Sequence, residues 1–166
     1  MQGKTVAITF ESFPASPEDI WSMPQGTLAT PFETAALTVL ALAYYPSNKD
    51  LSLGILKLLK GPAGLSEYEK QFIRDRFMDK DYVPRSYFDG ATPQNDYAPS
   101  TPWTVRVQDN PYSYQDQGRA TLYVTSGGAD SPRPIKLRLA KDGKWYLEEQ
   151  FILADIRKPE SENPWA

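Results

Sequence analysis

Residues 30–46 read TPFETAALTVLALAYYP. From Ala35 to Tyr45 nearly every side chain is apolar, and a proline stands near each end. Thr30 is placed to cap a helix, Pro31 suits its first position, Glu33 sits where a capping box needs its return partner, and Pro46 ends it. A helix of this kind has no wet face, so other elements must cover it on nearly all sides. It cannot do so by entering a bilayer: its 11-residue apolar run is about half of the roughly 20 residues that a span requires.

The rest of the chain supplies candidates for that cover. TVAITF alternates, with Val6, Ile8 and Phe10 on one face and Thr5, Ala7 and Thr9 on the other, which predicts a half-buried strand. Ser16, Pro17 and Asp19 predict a short helix that Pro24 stops. NKDLSLGILKLLKG is amphipathic through Leu51, Ile55, Leu58 and Leu59, and Gly61-Pro62 ends it. LSEYEKQFIRDRFMDKD predicts a third long helix, with Ser66 capping, Glu69 answering, and Leu65, Phe72, Ile73 and Phe77 as its apolar stripe.

Residues 84–102 hold four prolines and no period. They predict an irregular crossing from helices to strands, and Tyr87, Phe88 and Tyr97 suggest that it packs onto the body. Beyond it the pattern has period two. Trp103, Val105 and Val107 share a face, as do Ala120, Leu122 and Val124, and Ile135, Leu137 and Leu139. LAKDGKWYL predicts a hairpin with a three-residue Lys141-Asp142-Gly143 loop and Gly143 left-handed. That register sets Leu139 opposite Trp145, Leu137 opposite Leu147 and Lys136 opposite Glu148. The consecutive acids Glu148 and Glu149 then predict a bulge, since one of them would otherwise face inward.

The expected fold is α+β: an N-terminal strand and about four helices on one face of a twisted antiparallel sheet of four to five strands, with the first strand at an edge. Residues 1–166 read as one domain: helices over about 16–80, the crossing at 84–102, the sheet over about 103–157 and a polar tail at 158–166.

The chemistry is bounded mainly by what is missing. The chain has no cysteine and no histidine. That removes disulfides, thiolate nucleophiles, Ser-His-Asp triads and histidine-ligated metals from this sequence. Net charge is −3, spread over both halves, so phosphate-driven nucleic-acid binding is not expected. The N-terminal residues lack a signal-peptide pattern, and a cytoplasmic setting off the membrane is the expectation. No catalytic residue, metal or cofactor is nominated. Asp79, Asp81 and Asp89 lie loosely together, but no calcium-loop spacing is present, and Asp89-Gly90 reads as a turn.

Two stretches stand out as binding candidates. SGGADSPRPIKLR (126–138) resembles a phosphate cradle only superficially, because its glycines lead into prolines and a strand, not a helix N-terminus. Either it is a turn in which Asp130 or a neighbouring acid pairs with Arg133, or Pro132 and Pro134 present Arg133 to an anion or partner. In NPYSYQDQG (110–118), Tyr112 and Tyr114 either cover a sheet edge or form a recognition surface. Trp165 either folds back or anchors a partner.

The sequence-level expectation is therefore a non-catalytic binding domain whose surface comprises Tyr87, Asp89, Tyr112, Tyr114, Asp130 and Arg133, with a protein or small molecule as partner. The alternative is a small-molecule-binding protein, or an enzyme built on carboxylates and tyrosine, with its pocket between helices and sheet. A structural homo-oligomer is a third option.

TPFETAALTVLALAYY, LLKGPAGLSEYEKQFIRDRF, DYVPRSYFDGATPQNDYAPSTPWTVRV, SGGADSPRPIKLRL, GKWYLEE and the closing DIRKP…NPWA resemble, in this order, an uncharacterised family of bacterial proteins associated with Clostridia-like gut Firmicutes. The resemblance runs through nearly the whole chain and implies one intact unit. It brings no catalytic or binding residues with it.

Overall fold

A computed structural model describes residues 3–165. Five strands form one antiparallel sheet in chain order: β1 (Thr5–Thr9), β2 (Thr104–Gln108), β3 (Arg119–Val124), β4 (Arg133–Leu139) and β5 (Trp145–Gln150). β1 lies at one edge, where the first strand was expected, and β5 at the other. Three α-helices follow β1: α1 (Pro31–Ala43), α2 (Lys49–Lys60) and α3 (Glu67–Phe77). The fold is α+β.

The all-apolar helix α1 lies across the sheet, touching all five strands and α2. Eleven of its thirteen residues are buried. Glu33 accepts from the hydroxyls of Thr27 and Thr30, so it ties the preceding turn to the helix start. Thr34 and Thr38 are buried but satisfied, by the Trp145 carbonyl and the Thr34 carbonyl. The short helix expected after Ser16 is a 3₁₀ turn, Pro17–Ser22, followed by a second at Pro24–Thr27.

β3 pairs with β2 only at Val107 and Gln108. The first half of β2 would be left open on that side. The crossing segment fills the gap: Phe88 bridges to Val105, and the Asp89 amide donates to the Thr104 carbonyl at 2.9 Å. This is why the aromatics of an irregular segment are core residues. Tyr87 is 1% exposed, and Phe88 and Tyr97 are equally enclosed.

The β4–β5 hairpin turns through Lys141–Gly143, with Gly143 at φ +85°. Leu139 faces Trp145 and Leu137 faces Leu147, as the apolar matching required. The register then slips by one residue, so Lys136 faces Glu149 and not Glu148. The slip is the bulge that the acid pair demanded. It lets both carboxylates avoid the core: Glu148 pairs with Arg119, and Glu149 is exposed. Leu139, expected on the inner face, is instead exposed near the hairpin end.

No helix among the described residues is long and apolar enough to cross a membrane.

Candidate binding cleft

The six residues nominated from sequence do not form one surface. Tyr87 is in the core, its phenol donating to the Ile152 carbonyl at 2.6 Å. Burial pushes the Tyr87 hydroxyl well above the usual phenol range, with the Arg133 charge opposing weakly. Asp89 forms a bidentate contact with Arg106 at 3.0 and 3.1 Å. Tyr112 and Tyr114 sit on the loop that runs back along β3, where the Thr121 amide donates to the Ser113 carbonyl. Asp130 and Arg133 lie at the opposite end of β3, where the chain turns into β4. Tyr112 is 70% exposed and covers no sheet edge; the Tyr114 phenol donates to Asp109 at 3.0 Å.

Arg133 does not pair with Asp130. Its guanidinium donates to the carbonyls of Ala154 (3.4 Å) and Asp155 (2.9 Å) and to Ser131, so it ties the start of β4 to the C-terminal segment. Asp130 pairs instead with Arg157, at 2.9 Å on the surface. The two glycines before them offer no cradle. The Gly127 amide donates to the Ser86 carbonyl and the Gly128 amide to the Ser126 hydroxyl. Gly128 is glycine because a Cβ there would lie 2.2 Å from the Tyr97 hydroxyl. The stretch is a packed joint between the crossing and the C-terminal segment. Trp165 does not fold back; it is 92% exposed.

A different site emerges where α2 and α3 meet the outer edge of β5. A cleft of about 320 Å³ opens there. Its walls are Leu56 from α2, Phe72 and Ile73 from α3, Leu147 from β5, and Phe151 just beyond. α3 carries more apolar surface than the core takes up. Ile73 and Phe77 are buried, while Phe72 and Tyr68 of the same helix stay exposed. Cations flank the rim: Arg76 lies 4.9 Å from the Phe72 ring centre, and Lys136 lies 5.7 Å from that of Phe151.

Lys60 holds the cleft's base. Only 8% exposed, it donates to Glu69 at 2.6 Å and to the Glu148 carbonyl at 2.7 Å. Glu69 also accepts from the Ser66 amide and hydroxyl, each at 3.1 Å. One ammonium thus joins the end of α2, the start of α3 and the bulge of β5. Burial alone would raise the Glu69 carboxyl; the bonds from Lys60 and Ser66 outweigh it and hold the group below the usual carboxylate range. Glu69 is occupied on both oxygens and is not poised as a proton acceptor.

Sequence reasoning singled out Phe72, Glu69 and Glu149 for structural reasons and passed over Lys60. The available signal was the width of the α3 stripe. It runs from Leu65 through Tyr68 and Phe72, farther round the helix than one buried face needs. No cluster of three or more acidic side chains able to hold a metal ion occurs among the described residues.

No curated protein and no solved structure is significantly similar to the chain. One family pattern does match, over residues 12–160, which takes in the helices, the crossing, all of the sheet except β1, and the cleft. The chain belongs to that family, described as a domain of unknown function (DUF6935).

Proposed function

We propose that this chain is a non-catalytic binding domain and that it receives one or two apolar side chains of a protein partner in the α2–α3–β5 cleft. One observation carries this reading: Tyr68, Phe72 and Phe151 stand exposed around a concave apolar wall although the core beneath is already filled. Protein interfaces favour aromatic anchors of this kind at their centre and charges at their rim. A volume of about 320 Å³ lies at the small end for ligand pockets, which suits side-chain insertion better than a whole cofactor. A bacterial, cytoplasmic setting belongs to the same reading, supported by the full-length resemblance and a composition without cysteine.

The test uses Phe72→Ser with Phe151→Ser. Both side chains are partly exposed, so the double variant keeps its near-UV circular dichroism. Anilinonaphthalene sulfonate is expected to bind the wild type at one saturable site, and the double variant is expected to lose it. In parallel affinity captures from the native host, one protein is expected with the wild type and not with the double variant. Identical captures and unchanged dye binding would refute the reading.

A second surface is favoured by one fact only. Tyr112 is exposed and its hydroxyl makes no hydrogen bond among the described residues, so Tyr112→Ser serves as the comparison arm; loss of the same partner there would move the interface to the β2–β3 loop.

A further inference from the structure

Three segments converge at the far end of the β1–β2 pair, away from the cleft. The Phe10 amide donates to the Trp103 carbonyl at 2.9 Å, so residues 11–13 leave β1 directly beside residues 101–103. Tyr44, at the end of α1, closes the third side. Between them lies an open trough of about 610 Å³. The Phe13 and Trp103 rings meet at 78° with centres 5.6 Å apart, which makes an inside corner with two aromatic faces. Phe88 packs behind Trp103 at 4.8 Å and holds it in place.

Glu11 is the one charged side chain among the lining residues of this corner. Each aromatic face carries negative quadrupole density. Glu11, at the rim, forms no ion pair among the described residues. α1 ends here with no basic residue in its last turn, and the cation that follows, Lys49, sits over the neighbouring Tyr45 ring at 5.9 Å. Elsewhere the chain sets its own cations over rings, at Trp21, Phe32, Tyr45, Phe72 and Phe151. Among the described residues, no cation of the chain lies over either ring of this corner.

We propose that the Phe13–Trp103 corner, with Glu11 and Tyr44, binds a small alkylammonium ion. The shape selects among cations. A flat guanidinium stacks on one ring and meets the other edge-on, whereas a tetrahedral alkylammonium sets methyl or methylene groups against both perpendicular faces at once. Glu11 balances the charge from the solvent side. Burial raises the Tyr44 phenol above its ordinary range, so at neutral pH it stays an uncharged hydrogen-bonding group. This site is separate from the α2–α3–β5 cleft and stands or falls independently of it.

Choline is the probe, and 3,3-dimethylbutanol, the same shape without the charge, is its control. The readout is the indole N–H resonance of Trp103, identified by its absence in Trp103→Phe. Choline is expected to shift it saturably, and the uncharged control to bind about tenfold more weakly. Glu11→Gln is expected to weaken choline about threefold and Phe13→Leu about fivefold, with the rest of the spectrum unchanged because both side chains are exposed. Equal affinity for the uncharged control would overturn the proposal. So would equal affinity for guanidinium, choline binding indifferent to both variants, or no saturable shift.

Discussion

Residues 84–102 and residues 109–118 are both irregular, both bear tyrosines, and both lead into a strand. In the first, Tyr87 and Tyr97 are enclosed and their hydroxyls donate to main-chain carbonyls of Ile152 and Arg157. In the second, Tyr112 stands in water and Tyr114 reaches only Asp109 of its own loop. The difference lies in what each segment must cover. β3 stops short along β2, and the crossing takes the vacant place with its rings turned into the core; the loop at 109–118 likewise lies along the open edge of β3, where the Thr121 amide donates to the Ser113 carbonyl, but the side chain it buries there is Ser113. Both loops stand in for part of a strand; the tyrosines are core residues in the one that the C-terminal segment at 152–157 packs against, and surface residues in the other.

The sharpest way to break this contrast is Tyr87→Ala. It leaves a cavity and an unpaired carbonyl in the core, and a loss of about 3–5 kcal/mol is expected in urea unfolding. A loss below about 1 kcal/mol would mean that the crossing is peripheral. Gly128→Ala comes next. The added methyl meets the Tyr97 hydroxyl and Ile156, and about 2 kcal/mol of destabilisation is expected. Tyr87→Phe isolates the hydroxyl alone and is expected to cost about 1–2 kcal/mol at neutral pH.

The pH dependence of that last difference sharpens the contrast further. Burial raises Tyr87, and it pushes Tyr97 up to about 12. A group raised in the folded state contributes stability that is fully present below its unfolded pKa, here about 10, and lost as pH rises toward the folded value. The advantage of wild type over Tyr87→Phe is therefore expected to hold up to pH 10 and shrink above it, as denaturant midpoints at pH 8 to 11 would reveal. An advantage that grows with pH would contradict the burial. The smallest effect is expected at Tyr112→Ser, within about 0.5 kcal/mol of wild type by thermal unfolding.

Periodicity carried the strands, the three helices and the hairpin, because each is set by local alternation or capping. Even the bulge was legible, since two adjacent acids cannot both obey a period of two. The partners of Arg133 were not. It bonds to main-chain carbonyls of Ala154 and Asp155, and a carbonyl has no signature in sequence. Asp130 likewise pairs with Arg157, 27 positions on, a choice that chain path and not neighbourhood decides. The cleft escaped for a related reason. Leu56, Ile73 and Leu147 come from three elements, and nothing in any one of them marks a concavity. The surplus width of the α3 stripe was the single local trace.

The sheet's strand order bears on how the chain assembles. β2 through β5 join neighbours along the chain, whereas Thr9 meets Thr104 across 95 positions. By loop-closure entropy, zipping β1 onto β2 is uphill by roughly 2.5 kcal/mol more than closing the β4–β5 hairpin. The meander is thus expected to knit early and β1 to dock last, with amides of Val6 and Ile8 gaining protection from exchange after those of Leu122 and Leu137 in pulse labelling. The reverse order would mean that the helical layer, and not the meander, is the template on which the sheet is built.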